Sequence, residues 1–140
     1  MIKRIFDIKG ELLGIVVKNS TKRNSEDIFF FTDGNENIEV AQMYRKKGYI
    51  KPHSHNLIKK ETWGTQEFLY LESGSLTVNF YDCKNGLCDS ILLKANDFVI
   101  LLRGGHGFKL HEDCKLIEVK NGPYLKDRDK TYLKFDTNEV

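Results

Sequence analysis

Apolar residues in this chain come in short clusters separated by glycines and polar turn residues, with little sign of helical periodicity. Runs such as FLYL (68–71) and FVILL (98–102) are continuously apolar, which predicts strands covered on both faces. The clusters predict strands over 12–17, 27–32, 37–44, 66–71, 75–81, 90–93, 98–102, 106–110 and 114–120. The charged tail LKDRDKTYLKF reads equally as a last solvated strand or a short helix. So many short strands have to hide their edges by closing or by pairing sheets, which predicts an all-β, two-sheet or barrel architecture. Asn85-Gly86 between two strand-like runs predicts a two-residue hairpin turn, because a type I′ turn needs positive φ at both central positions.

Composition narrows the class. With 140 residues the chain suits a single domain over 1–140. The 22 Lys and Arg against 20 Asp and Glu leave a formal charge of +2, which offers no dedicated grip on nucleic acid. The N-terminal MIKRIFDIKGELLGIVV has no apolar core followed by a cleavage site, and no apolar run approaches the ~20 residues of a membrane span. The expectation is a cytoplasmic protein without membrane insertion. Three cysteines, an odd number, agree with a reducing compartment. The predicted hairpin places Cys83 opposite Cys88 at a Cα separation of roughly 4.5 to 5.5 Å, which a disulfide accepts, while the compartment favours free thiols. No second cysteine pair exists to complete a metal site.

The chemistry concentrates in KPHSHNLIKKETWGTQEFLYLESGS, residues 51–75. On a strand His53 and His55 share a face, and Glu67 is in register with Leu69 and Leu71, which places a carboxylate on an apolar face where it needs a partner or a cation. His106 opens another strand after a double glycine. Three imidazoles and one carboxylate make an N3O donor set for a divalent ion such as Zn, Fe, Mn, Ni or Cu; the bland alternative is a pair of histidines on a solvent-facing strand. Lysines and arginines near these motifs could meet a phosphorylated ligand, Arg103 beside His106 above all, and Tyr49, Trp63 and Tyr70 could stack on a sugar or base. The competing assignments are a solvated basic face and ordinary core or dimer aromatics. His111, Glu112 and Asp97 read as turn residues.

The stretch resembles the cupin family. Gly48, His53, His55, Glu67 and Gly74 are similar to its first motif, with NLIKKETWGTQ as an extra loop, and ANDFVILLRGGHGF with His106 is similar to its second, so the resemblance covers about 48–110. It implies a cupin-type double-stranded β-helix, a metal (Zn, Fe, Mn or Ni) held by His53, His55, Glu67 and His106, and a homodimer. More narrowly, QEFLYLESGSL and IEVKNGPY look similar to small cupins of bacterial cell-surface polysaccharide synthesis. In the nucleotide-sugar ketoisomerases of that group an H-x-H shuttles protons without a metal, which would make His53 and His55 acid and base here. The resulting expectation is a cupin acting on a sugar or nucleotide-sugar with isomerase or epimerase chemistry, with Arg103, Tyr49, Trp63 and Tyr70 binding the substrate. Its rivals are a noncatalytic carbohydrate-binding or regulatory cupin and an iron-dependent oxygenase.

Overall fold

The computed structural model describes residues 1–19 and 28–134. Ten strands run in chain order: β1 (Ile2–Phe6), β2 (Leu12–Val17), β3 (Ile28–Phe30), β4 (Ala41–Met43), β5 (Glu67–Ser73), β6 (Ser75–Tyr81), β7 (Leu87–Lys94), β8 (Phe98–Leu101), β9 (Gly105–Leu110) and β10 (Lys115–Lys120). They form three antiparallel sheets, none of them closed: β1-β2-β8-β5-β10, β7-β6-β9 and the short ribbon β3-β4. The all-β expectation holds to that level. The tail contributes a single 3-10 turn at Lys126–Arg128. Asp27, at the start of one predicted strand, and Phe135 of the tail lie outside the described residues.

The five-stranded and three-stranded sheets pack face to face over a core of Ile5, Leu13, Val16, Leu69, Leu71, Leu76, Val78, Phe80, Leu93, Val99 and Leu101. The outer face of the larger sheet is also covered, by an aromatic layer in which Phe31 meets Phe98 at 5.3 Å and Phe98 meets Phe68 at 5.2 Å between ring centroids. Double coverage explains why β5 and β8 read as continuous apolar runs.

β1 was not among the predicted strands. Lysine and arginine interrupt IKRIF, and only Ile5 is buried, so its pairing to β2 supplies what its own pattern lacks. Opposite it, the register shifts between Ile5 and Phe6: Ile5 faces Gly14 and Phe6 faces Leu12, leaving Leu13 as an extra residue. That bulge turns Leu13 and Gly14 to the same, inner side. A β-carbon on Gly14 would lie 2.6 Å from Phe80 Cε1 and 2.7 Å from the Ile100 carbonyl oxygen. Gly14→Ala is therefore expected to destabilise the domain by about 1–3 kcal/mol through overpacking, measured by urea unfolding.

The hairpin between β6 and β7 corrects the two-residue turn. Asp82 organises a longer loop, its Oδ1 accepting from the amides of Lys84 and Gly86 at 2.8 Å each. Among the turn residues only Asn85 takes positive φ, at 69°. Tyr81 then pairs with Leu87 and Phe80 with Asp89, leaving Cys88 unpaired in a bulge. Cys83 therefore sits in the turn instead of opposite Cys88, and all three cysteines are free thiols.

A second correction concerns residues 44–66, which carry no regular secondary structure. His53 and His55 lie in this arm and not on a strand. Gly48 and Pro52 disfavour a ladder here, and every residue from 41 to 65 is exposed, so no buried face imposes a period of two.

Candidate functional site

The carboxylate expected on the inner face is there. Glu67 opens β5 on the same side as Leu69 and Leu71 and is buried. Its position is fixed by pairing on both sides, with Leu101 of β8 and Lys120 of β10. Across the sandwich, His106 of β9 pairs with Phe80 of β6, so it shares the inner face with that core ring. The two meet at one end of the sandwich, His106 Nε2 lying 3.1 Å from Glu67 Oε2 with the imidazole 32 % and the carboxylate 9 % exposed. Lys120 Nζ stands 3.7 Å from Glu67 Oε1 and 3.0 Å from Glu118 Oε1, with its ammonium 5.3 Å from the centre of the Tyr124 ring.

The hydrogen bond from His106 holds the Glu67 carboxyl below its ordinary pKa, and this outweighs the opposing effect of burial; the charges of His106, Lys120 and Lys130 push the same way. An ionised carboxylate only accepts, so the nitrogen facing it, Nε2 of His106, is the donor, and a ring carrying a single proton keeps Nδ1 as an acceptor. Lys120 is held protonated by Glu118 first and by Glu67 after it. Because the folded state binds fewer protons at Glu67 than the unfolded state, this contribution to stability is complete above the ordinary value of 4.5 and is lost as pH falls through the lowered one. Urea midpoints measured down from pH 6 should fall more steeply for the wild type than for Glu67→Gln.

Beside this group, buried Gln66 fixes where β5 begins. Its Oε1 accepts from the amides of Asn37 at 2.8 Å and Ile38 at 3.2 Å, and its Nε2 donates to Glu36 at 2.5 Å. Glu36 in turn holds Arg103 at 2.9 Å, with Glu11 at 3.7 Å. The guanidinium proposed for substrate is thus engaged by two carboxylates.

The other sequence-derived residues are dispersed. His53 and His55 stack edge to face at 5.3 Å on the exposed arm, which also carries Tyr49 and Trp63 with their side chains in solvent. Tyr70 alternates to the outer face of β5, where its hydroxyl bonds Asn96 Oδ1 at 2.7 Å. The four expected metal ligands therefore fall into two pairs, and among the described residues no group of three or more His, Cys, Asp or Glu is placed to hold a metal ion. As placed in this chain, the donors do not fit a four-ligand centre. Lys120 was missed by sequence reasoning; its signal was the register of IEVK, which puts it on the face of Leu116.

Comparison of the chain with protein-family models, with curated proteins and with solved structures found no match in any of the three. Function has to be read from the site itself.

Proposed function

We propose that the protein is a proton-transfer enzyme acting on a sugar or nucleotide-sugar, of isomerase type, with His106 as acid and base. The observation that carries this reading is the buried Glu67 carboxylate 3.1 Å from a part-exposed imidazole at one end of an apolar sandwich. A carboxylate behind a histidine fixes its tautomer and stabilises the imidazolium formed when the ring takes a proton. Nδ1 of His106 takes the proton from a carbon next to a carbonyl; the charge that develops on the carbonyl oxygen is met by the Lys120 ammonium. Lys120 protonates that oxygen and recovers a proton from the hydroxyl of the first carbon, which becomes the new carbonyl, while return of the ring's proton to the former carbonyl carbon completes the isomerisation and restores the neutral ring.

The fold reading that accompanies it is the cupin-type double-stranded β-helix. It is supported by the way β5 to β10 are shared between the two facing sheets, β5, β8 and β10 in one and β6, β7 and β9 in the other, so that the chain changes sheet at every step except the β6–β7 hairpin. The metal-centred version of the reading would need His53 and His55 beside Glu67 and His106, an arrangement a single chain does not supply here.

The test is a titration of uniformly labelled protein with a panel of nucleoside-diphosphate keto sugars, followed through the imidazole signals. The His106 resonances should move and saturate while those of His111, hydrogen-bonded to Thr77 on the other face, stay in place. Saturable shifts confined to other histidines would overturn the assignment.

A further inference from the structure

Beyond β10 the chain turns back on the Glu67–His106 pair. Asn121 anchors the turn, its Oδ1 accepting from the Gln66 amide at 2.7 Å and its Nδ2 donating to the Gly64 carbonyl at 3.0 Å. Tyr124 then lies against the Lys120 ammonium. Asp129 adds its charge to those that hold Lys120 protonated, and Lys130 is among the cations that keep Glu67 ionised. Three residues later Leu133 reaches β9. Gly105 pairs with Tyr81 and so opens to the outer face; a β-carbon there would stand 2.6 Å from Leu133 Cδ1 and 3.4 Å from Tyr81 Cβ. The missing side chain leaves a notch, and Leu133 fills it.

The path between these contacts is short. Lys130 to Leu133 spans at most about 11 Å of extended chain, and its two ends lie by Glu67 and by Gly105. His106 touches the first of these and follows the second in sequence, so the tail passes directly beside the imidazole. It is held lightly. From Asn121 to Lys134 only Asn121, Asp129 and Leu133 are part-buried, and the rest is exposed. Among the described residues the backbone of 122–134 bonds only to itself, Arg128 donating to Leu125 at 3.4 Å and Asp129 to Lys126 at 3.0 Å. A segment near a chain end with so few buried contacts opens at a small free-energy cost, well before the sheets do.

We propose that residues 121–134 form a strap over the Glu67–His106 site, hinged at Asn121 and latched by Leu133 in the Gly105 notch, and that release of the latch admits ligand to His106. Closure of a mobile segment over a site commits the ligand and sets its rates of entry and exit. The proposal deepens the proton-transfer reading, on which it rests for what is admitted, by naming how access to that site is controlled.

Two substitutions release the latch from opposite sides. Leu133→Asp removes the apolar plug. Gly105→Ala fills the notch, and because the atom it meets is the end of a flexible side chain on a lightly held segment, Leu133 yields and the sheet does not. In ligand-free protein, relaxation of the His106 ring signals by a soluble gadolinium chelate should rise in both variants by up to about threefold, the ratio of a free ring to one 32 % exposed. The His111 signals should stay as they are. Equal relaxation of His106 in the wild type and both variants would overturn the strap, whatever the protein binds. With the nucleoside-diphosphate keto sugars, both variants should associate severalfold faster than the wild type, because binding no longer waits for a conformational change. Equal association rates would overturn the gating role. Exposure of His106 that rises in the variants while no keto sugar binds any of the three proteins would overturn the proton-transfer reading and leave the strap standing.

Discussion

Phe80→Ala should cost about 3–5 kcal/mol, the range for deleting a fully buried aromatic ring. Phe80 is 1 % exposed and is the largest fully buried side chain in the core. It occupies the space that Gly14 leaves open, its Cε1 lying 2.6 Å from where a β-carbon would stand, and it sits opposite His106 across the β6–β9 ladder. The cavity cannot close by a rotamer change at residue 14, because glycine has no side chain to move into it. Against a total stability of roughly 5–15 kcal/mol, such a loss removes at least about a fifth of the margin. Urea unfolding checks it, with Ile8→Ala as the control: Ile8 is exposed, and a surface change of that kind stays within about 0.5 kcal/mol.

His106→Gln should lower the proton-transfer rate by about 10²- to 10⁴-fold, the usual contribution of a positioned general acid or base, while stability changes little. Glutamine can still donate to Glu67, so the buried carboxylate keeps a partner, but its amide cannot take up a proton near neutral pH. Retained binding with lost turnover separates a chemical role from a structural one. Glu67→Gln should give a smaller loss, because the imidazole stays present and loses the group that fixes its tautomer.

Much of the sandwich was legible because the local pattern and the tertiary environment agree. Ser75–Tyr81 alternates strictly between half-buried and buried and begins after Gly74, whose φ of 92° suits a tight reversal. The inward direction of Glu67 followed from its parity with Leu69 and Leu71. Its partner did not: His106 is distant in sequence, and nothing local says that β9 lies across from β5. Lys120 reaches Glu67 only through the β5–β10 register. The bulge at Leu13 was invisible because it depends on the space Phe80 takes up.

The H-x-H reading shows where period-two reasoning stops. Two histidines at i and i+2 share a face only when the segment is paired, and pairing is a property of the neighbour. Among the described residues 44–66 has no such neighbour, and the two rings meet each other at 5.3 Å and not the carboxylate. Asn85-Gly86 failed for a related reason: the Asp82 carboxylate captures the amides of Lys84 and Gly86 and sets a longer loop than the dipeptide alone prefers.

The most direct test of the central claim is solvent exchange. The wild-type protein is incubated in D2O with the panel of nucleoside-diphosphate keto sugars, and the recovered sugars are examined by proton NMR. Deuterium at the carbon next to the carbonyl, entering with wild-type protein and lost with His106→Gln, is the predicted result. A keto sugar that binds at His106 and is recovered with no deuterium would contradict the proton-transfer role and leave the site a binding site only.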